Sequence, residues 1–307
     1  TVNSGEIVNE IIFSTSNTSG TTTYYWTIDN ISLGLPSSGS GNIQSFTAIN
    51  ASTTPIVGTI TVIPTFTNGG ISCEGVYNMT FAITVNPAAG SITDQDGNTY
   101  DYLSYGNQAW TVENAEMVTY RDGTPIPQVT DNTEWQNLTT GAWSYHNNDP
   151  TKPRFYNWYA VMGIHDTDPN TPNKEFAPEG WHVPTVAEWY TLENYLIANG
   201  YNYDGTTTEN KIAKAMASNT GWGASNYTGT PGNEQSLNND SGFNAFPEGL
   251  RVNDGSFNNE GYSATFWSSS EGNTNLAWYR SLDKVNSTLT RSYFSKQFGF
   301  SVRFVRD

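Results

Sequence analysis

The sequence predicts two domains, an all-β sandwich in residues 1–88 and an α+β domain with two helices in residues 89–307. Short runs that alternate β-branched or aromatic residues with Thr, Ser and Asn fill the first stretch, which is the pattern of half-buried strands. The second stretch combines strand patterns with two helical patterns, each behind a capping signal. A length of 307 residues also suits two domains with separate cores.

The strands of the first domain are predicted at five runs separated by turn residues: EIIFST, TTYYWTID, IQSFTAIN, IVGTITVIPTF and VYNMTFAITVN. Their spacing is typical of an Ig-like sandwich. Trp26 has strand pattern on both sides, so we interpret it as a core residue rather than a platform for a ligand. Residues 86–90 contain a proline and a glycine and are the predicted linker.

The second domain opens with two predicted hairpins, which turn at Asp96, Gly97 and Asn98 and again at Gly106 and Asn107. The strands around these turns carry three large aromatic residues: Tyr100, Tyr102 and Trp110. A further strand is predicted at FYNWYAV in the middle of the domain. Four more are predicted in the C-terminal third, at ATFWSSSE, LAWYRSLD, LTRSYFSK and FGFSVRFVRD.

The central helix of the second domain is predicted to begin at Thr185. Pro184 disfavours helix in the residues before it, and the Glu188 carboxylate can reach back to the Thr185 amide, which together make a capping box. Apolar residues then recur at three- and four-residue steps and give the helix one apolar face: Val186, Trp189, Leu192, Leu196 and Ile197. Gly200 is the predicted left-handed cap at its end, and we expect the strands to fold against this helix.

A second, shorter helix is predicted across residues 208–218. Thr206 and Glu209 repeat the capping-box spacing, and Ile212 and Met216 lie one turn apart.

The composition indicates an exported protein. The net charge is −16, yet only 14% of residues are charged, so Asn, Thr, Ser and Gly must cover much of the surface, as in extracellular proteins. Thirteen Lys and Arg against 29 Asp and Glu argue against nucleic acid as a partner. Four arginines near the C-terminus are expected to pair with the acidic excess: Arg280, Arg291, Arg303 and Arg306.

The single cysteine, Cys73, excludes an intramolecular disulfide and is expected to be a small buried side chain. The chain has no run of 18 apolar residues, so no membrane span is predicted. It opens on Thr1 rather than Met, which suggests a processed protein or a piece of a longer one. We therefore expect an extracellular or cell-surface location.

Residues 1–88 resemble the PKD-like repeats of large secreted proteins from Bacteroidota-type bacteria. The resemblance is carried by YYWTIDN, SSGSGNIQSFTAIN, TTPIVGTITVIPTF, a loop that bears the cysteine, and FAITVNP, in that order. In that family the module is a spacer that holds another domain away from a surface. The resemblance implies the same role for residues 1–88 here.

Residues 89–307 resemble the Fibrobacter succinogenes major paralogous domain, a family of the C-type-lectin-like and formylglycine-generating-enzyme-like fold group. Ordered motifs carry the resemblance: DGNTY from Asp96, GNQAW from Gly106, EN from Glu113, DGTPIP from Asp122, YNWYAV from Tyr156, GWHVPT from Gly180, SGF from Ser241, WSSS from Trp267, AWYR from Ala277 and GFSVR from Gly299. It implies a C-type-lectin-like fold. The family has no settled activity, so the fold does not supply a function.

A C-type-lectin-like fold raises the question of calcium. The Glu-Pro-Asn and Trp-Asn-Asp triplets of calcium-dependent sugar binding do not occur in the chain. Asp166, Asp168 and Asn170 do repeat the oxygen alternation of a cation loop, so calcium is a candidate ligand there, with a solvated turn as the alternative. A second alternation, at Asp94, Asp96 and Asn98, is interpreted as the turn of the first hairpin.

The sequence contains no recognisable catalytic set. The enzyme of this fold group works through cysteines, whereas the only cysteine here lies in the other domain. A GxSxG elbow is absent, and the three histidines stand in no metal-binding array, His182 being interpreted as a hydrogen-bonded structural residue. A hydrolase with paired carboxylates is an alternative, because acids are available: Glu188, Glu193, Asp240, Glu248, Asp254, Glu260 and Glu271.

Aromatic and amide side chains in residues 219–293 are the predicted ligand-binding residues. Several rings stand there among Gly, Asn, Ser and Thr, a composition shared with antibody paratopes: Trp222, Tyr227, Phe257, Tyr262 and Tyr279. Variable proteins of diversity-generating retroelements share the fold group, and their changing residues resemble a further set: Asn273, Asn275, Tyr279, Ser281, Asp283, Asn286, Ser287 and Tyr293. Core or neutral surface is the alternative for each residue taken singly.

Three functions follow from the sequence, in order of preference. The first is an exported, non-enzymatic, adhesin-like protein that binds a glycan or a protein through these loops. The second is a structural subunit of a surface fibre or secreted assembly, which would self-associate without added ligand. The third is a carboxylate-dependent hydrolase.

Overall fold

The computed structural model describes residues 1–50, 55–75, 78–86 and 89–306. The chain divides into two compact units, Thr1–Ala89 and Gly90–Asp307. Two residues of the predicted linker, Pro87 and Ala88, lie outside the described residues.

The first unit is built from strands. Its described strands are β1 (Val2–Asn3), β2 (Ile7–Val8), β3 (Thr21–Ile28), β4 (Ser38–Ser40), β5 (Phe46–Thr47), β6 (Ile56–Asn68), β7 (Ile71–Glu74) and β8 (Met79–Asn86). One sheet has the order β1-β8-β6-β3-β4, with β7 also paired to β6, and β2 pairs with β5 in a second, small sheet. A β-rich first domain is therefore confirmed. The predicted strand at IQSFTAIN shrinks to Phe46–Thr47, and the predicted strand at EIIFST is wrong, because that run forms only an isolated bridge from Ile11 to Ile43. The strand β2 lies just before it, at Ile7–Val8.

The core of the first unit follows from the alternation along its long strands. On β3, Tyr24, Trp26 and Ile28 point inward and the residues between them are more exposed. Trp26 is 5% exposed, so its interpretation as a core residue is confirmed. The expectation of a buried Cys73 is wrong, because all four side chains of β7 are exposed.

The second unit mixes short strands with a few helices. Its strands are β9 (Gly90–Thr93), β10 (Thr99–Tyr105), β11 (Gln108–Thr111), β12 (Trp143–Tyr145), β13 (Arg154–Tyr156), β14 (Leu250–Arg251), β15 (Phe257–Asn258), β16 (Ser263–Glu271), β17 (Leu276–Asp283), β18 (Thr290–Ser295) and β19 (Val305–Arg306). Its helices are α1 (Asn132–Gln136), α2 (Trp158–Val161), α3 (Val186–Ala198) and α4 (Ala213–Met216).

Two larger sheets organise this unit, beside the two-stranded pairs β12-β13 and β14-β15. One has the order β19-β11-β10-β9 and contains both predicted hairpins, with Tyr105 paired to Gln108 across the second turn. The other is β16-β17-β18. The first three predicted C-terminal strands are confirmed, but FGFSVRFVRD forms a strand only at Val305–Arg306. Most of that segment instead runs through the core by isolated bridges, such as Tyr156 with Phe300.

Helix α3 has the predicted boundaries. The Thr185 hydroxyl accepts a hydrogen bond from the Glu188 amide at 3.2 Å, and the Glu188 carboxylate accepts one from the Thr185 amide at 2.7 Å, so the capping box is confirmed. His182 also contacts the Glu188 carboxylate. Gly200 follows the helix with φ of 82°, a left-handed conformation that suits glycine. The apolar face buries Trp189 against Trp110, with ring centroids 4.7 Å apart.

Removing the cap of α3 is expected to cost about 1 kcal/mol in the free energy of unfolding. Thr185→Ala leaves the Glu188 amide without its side-chain acceptor, and chemical denaturation would measure the loss. Thr191→Ala is the matched control, since the exposed Thr191 hydroxyl only bonds back to the Ala187 carbonyl within the helix. Equal losses in the two variants would contradict the capping account.

The second predicted helix is wrong in its start and its length, because α4 covers only Ala213–Met216. The Thr206 hydroxyl donates to the Asp204 carboxylate at 2.6 Å and caps no helix. Glu209 has φ of 64°, which is incompatible with a first helical turn. The predicted strand at FYNWYAV is also wrong in part: β13 ends at Tyr156, and Asn157 then caps α2 by accepting from the Ala160 amide at 2.9 Å.

Buried cationic side chains hold the long loops of the second unit. The Arg251 guanidinium is fully buried and donates to the carbonyls of Val129 and Gly255. Lys214 is 8% exposed, and its ammonium donates to loop carbonyls and to Asn238 Oδ1 at 2.9 Å. Without these cations the loop carbonyls would be buried without hydrogen-bond donors. Each cation therefore donates the hydrogen bonds that a helix or a strand would donate in regular secondary structure.

The expected pairing of the C-terminal arginines holds for Arg280, which contacts Glu193 at 2.8 Å. It is wrong for three others, which lie over aromatic rings and form no ion pair with a described residue: Arg291, Arg303 and Arg306. No helix in the described part of the chain is both long and apolar enough to cross a membrane.

Candidate ligand-binding groove

An open groove of about 490 Å³ lies beside the first hairpin of the second unit. Amide, carboxylate and aromatic side chains line it: Asn98, Thr99, Tyr100, Val112, Glu113, Asn114, Glu116, Asn244, Phe246, Glu248 and Arg303. These residues come from the two ends of the domain sequence and from the loop before β14, and the fold brings them together.

Glu248 is a carboxylate held in place at the groove. Its Oε2 accepts from Asn114 Nδ2 at 2.6 Å and from the Ser301 hydroxyl at 3.1 Å. Burial raises the pKa of Glu248 to about 7, against an ordinary value near 4.5, although hydrogen bonds and the nearby Arg303 charge act in the opposite direction. The residue as a whole is half-buried and lines the groove, so a desolvated carboxyl group stands at the groove wall.

Arg303 fixes the orientation of Asn114. Its Nε donates to Asn114 Oδ1 at 2.6 Å, which directs the Asn114 amide nitrogen toward Glu248. The rest of the guanidinium donates to the Thr111 and Phe243 carbonyls at 3.0 and 3.2 Å. Burial lowers the pKa of Arg303 to about 10, so it stays charged at neutral pH. Arg303, Asn114 and Glu248 therefore form one connected, oriented set.

A second carboxylate, Glu116, lines the same groove. It forms an ion pair with Arg154, and its pKa is raised because burial outweighs that attraction. The Glu116 amide donates to the Tyr100 hydroxyl at 2.9 Å, and this hydroxyl donates to Asp94 at 2.6 Å. Asp94 also accepts from the amides of the hairpin turn, so it shapes the groove from beneath as a turn residue.

Phe246 gives the groove an apolar face. Its ring is 40% exposed, next to Asn244 and Glu248. The groove thus offers one accessible ring together with side-chain oxygens and amides, which is the chemistry that recognises a molecule with both apolar and hydroxyl-bearing faces.

A model of the Fibrobacter succinogenes major domain matches residues 103–306, about two thirds of the chain. The chain belongs to this family. The match includes most of the groove, among it Asn114, Glu116, Glu248 and Arg303. No curated protein and no solved structure matches the chain.

The pKa of Glu248 predicts a pH effect on the stability of the major domain. The folded domain keeps the Glu248 proton up to about pH 7, whereas the unfolded chain loses it near pH 4.5. The contribution of this proton to the free energy of unfolding is therefore complete below about pH 4.5 and is lost as the pH rises through 7. Glu248→Gln is expected to remove the Glu248 part of this fall in the free energy of unfolding and leave the part due to Glu116, measured by denaturation between pH 4.5 and 8. Glu179→Gln, at an exposed carboxyl, is the control, and a wild-type slope in the Glu248 variant would contradict the assignment.

The predicted ligand-binding residues are of three kinds: buried, half-buried and exposed. Trp222 and Tyr279 are 4% and 9% exposed and belong to the cores, so their prediction as contact residues needs correction. The pattern of Gly, Asn and Ser around them does not show that each ring points inward. Phe257 is half-buried against His146 and Arg251.

The remaining predicted residues are exposed on the major domain. Tyr227, Tyr262 and Tyr293 are 67%, 37% and 51% exposed, and their rings have different neighbours: Tyr262 lies under Lys284 and Tyr293 packs on Trp278. Exposed Asn273 and Asn275 share one turn, where Asn273 Oδ1 accepts from the Asn275 amide at 2.9 Å. Their role in binding stays a prediction.

Two of the three predicted calcium residues, Asp166 and Asp168, border a separate groove of about 320 Å³. Asp166 Oδ1 accepts from the Asp168 amide, and Asp168 Oδ1 accepts from the amide and side chain of Asn170, each at 2.9 Å. These oxygens therefore serve local turns. In the described part of the chain, no three His, Cys, Asp or Glu side chains converge as a metal site. Calcium binding stays a prediction that a calorimetric titration would test.

The sequence predicts only part of the groove. Glu248 is among its candidate carboxylates, whereas Glu116 and Phe246 are not among the predicted site residues. Asn114 and Arg303 belonged to recognised motifs, but nothing in the sequence joins two residues that are 189 positions apart.

Proposed function

We propose that the major domain is a non-enzymatic binding module that takes a glycan into the groove beside Glu248. The main support is the accessible Phe246 ring, which lies next to the Glu248 carboxylate and the Asn114 amide. These two groups are already held in place by hydrogen bonds. A sugar ring can lay its C–H face on the phenyl ring while its hydroxyls bond to these groups. Because Arg303 and Ser301 already orient these groups, binding loses little side-chain entropy.

We further propose that the protein acts outside the cell, as an adhesin-like component. An acidic surface rich in Asn, Ser and Thr supports this location, and so does the resemblance of residues 1–88 to PKD-like spacers. In this arrangement the first unit would present the major domain and take no part in recognition.

Phe246→Ala is expected to weaken glycan binding about tenfold, through loss of the stacking surface. A glycan array with the full chain would identify a ligand, and calorimetry would then compare the variants. Tyr227→Ala is the matched control, since that ring is exposed but does not line the groove. If Tyr227→Ala weakened binding while Phe246→Ala did not, the ligand surface would be the predicted loops and the groove proposal would be wrong.

A carboxylate-dependent hydrolase is the second candidate, because Glu248 and Glu116 both have raised pKa values and line one groove. Glu248→Gln separates the two functions. A binding module would retain its glycan affinity within a fewfold. A hydrolase would lose turnover of the same glycan, which chromatography of the products would measure.

A further inference from the structure

Each unit has an exposed edge strand of four or more residues that carries a single charge. In the first unit β7 pairs with β6, and in the second β18 pairs with β17; the described residues supply no strand for the other side of either. Neither strand contains a proline, the residue that often protects an edge. Both therefore present unpaired backbone donors and acceptors.

The charge on β18 belongs to Arg291, which is held by aromatic rings. Arg291 is exposed, and its guanidinium lies over the rings of Tyr190 and Trp278 at 4.8 and 5.1 Å. It also donates to the Tyr190 hydroxyl. Among the described side chains no carboxylate pairs with it, although the chain has 29 acidic residues.

The charge on β7 has the opposite sign. Glu74 is exposed and, within the described ranges, forms no ion pair. The other end of the same strand is Ile71, whose side chain is 72% exposed. On β18 two rings are exposed, Tyr293 at 51% and Phe294 at 38%, and Phe294 is the one without a polar group. Each edge thus has one charge and one apolar side chain, three positions apart.

We propose that β7 of one copy pairs antiparallel with β18 of a second copy. With Glu74 opposite Arg291, this register sets Ile71 opposite Phe294 and keeps all four residues of β7 within the length of β18. A parallel arrangement with the same charge pair would leave half of β7 beyond the end of β18. Opposite charges and apolar residues that face each other across strands stabilise pairing.

The alternation of side chains agrees with this register. Successive side chains of a strand point to opposite faces, so Glu74 lies on the face that Arg291 shares with Tyr190 and Trp278. Ile71 then lies on the other face, together with Phe294, which stacks on Tyr279 at 5.0 Å.

Such pairing can join more than two copies. Because donor strand and acceptor strand lie on different units of one polypeptide, each copy can donate to one neighbour and accept from another, which is a heterologous contact. Four residue pairs give a weak contact, so assembly should depend on concentration or on a surface that aligns the copies. This inference stands independently of glycan binding.

The register places Ser292 opposite the native Cys73, which provides a direct test. Cβ atoms of facing residues on antiparallel strands lie close enough for a disulfide. Ser292→Cys in the full chain is expected to give covalent dimers and longer chains on mild oxidation, seen on non-reducing gels. Ser295→Cys is the matched control, because the register puts no β7 residue opposite it.

Charge variants supply the second arm. In the Ser292→Cys background, Arg291→Glu is expected to reduce cross-linked product roughly fivefold, and adding Glu74→Arg should restore it. Circular dichroism would check that each variant is folded. Glu74→Arg alone tests the contact from the first unit, and it should also reduce the cross-linked product, because it places two positive charges opposite each other. Equal cross-linking in the Ser292 and Ser295 variants, failure of the charge exchange to restore it, or a disulfide within a single chain would each overturn the proposal.

Discussion

Replacing Arg251 by methionine is expected to lower the free energy of unfolding of the major domain by about 3–5 kcal/mol. The guanidinium is fully buried, donates to the Gly255 carbonyl at 3.0 Å and to that of Val129, and lies 4.1 Å from the centre of the Trp135 ring. Methionine can fill part of the volume, but it leaves these carbonyls buried without donors. Several unsatisfied groups in one place account for the size of the effect.

Arg121→Met is the matched control for Arg251. The Arg121 guanidinium also donates to backbone carbonyls, those of Ala177 and Pro178, but it is one third exposed. Water can replace it there, so a smaller loss is expected. Denaturation followed by tryptophan fluorescence reports mainly on the major domain, since nine of the ten tryptophans lie in it. Equal losses in the two variants would show that burial of the carbonyls does not matter.

Trp189→Ala is expected to have an effect of similar size, about 3–5 kcal/mol. Trp189 is fully buried on α3, and its ring lies 4.7 Å from Trp110, 6.0 Å from Phe243 and 5.9 Å from Phe266. Truncation leaves a cavity among rigid rings that cannot collapse to fill it.

Two variants frame the Trp189 result. Trp189→Phe keeps a ring at the site and should lose less stability than the alanine variant. Trp278→Ala removes a tryptophan that is only partly buried, on the central strand β17, and should also lose less. A loss below about 1 kcal/mol for Trp189→Ala would mean that α3 does not anchor the core.

The boundaries of α3 could be predicted because its signals are local. Thr185 and Glu188 are three residues apart and satisfy each other directly. The same spacing failed at Thr206, since Asp204 takes that hydroxyl and Asn202 organises the loop by accepting from the Lys211 amide at 2.9 Å. A capping pattern therefore predicts a helix only where no nearby side chain competes for the cap.

The groove could not be predicted in the same way. The acidic excess in the composition predicts that the arginines pair with acids. Arg303 instead donates hydrogen bonds to carbonyls and to Asn114. The raised pKa of Glu248 comes from burial by residues distant in the sequence. The fold class could be recognised from ordered motifs, while the chemistry of the groove depends on contacts that only folding creates.

The order β19-β11-β10-β9 has a consequence for how the major domain can be built into larger polypeptides. The first strand, β9, and the last, β19, run in opposite directions at the two sides of this sheet, so Gly90 and Arg306 lie toward the same end. Three strand spacings, about 14 Å, separate them. A domain whose two termini are neighbours can be inserted into a loop of a host protein without disturbing its interior. For the same reason it can be circularly permuted.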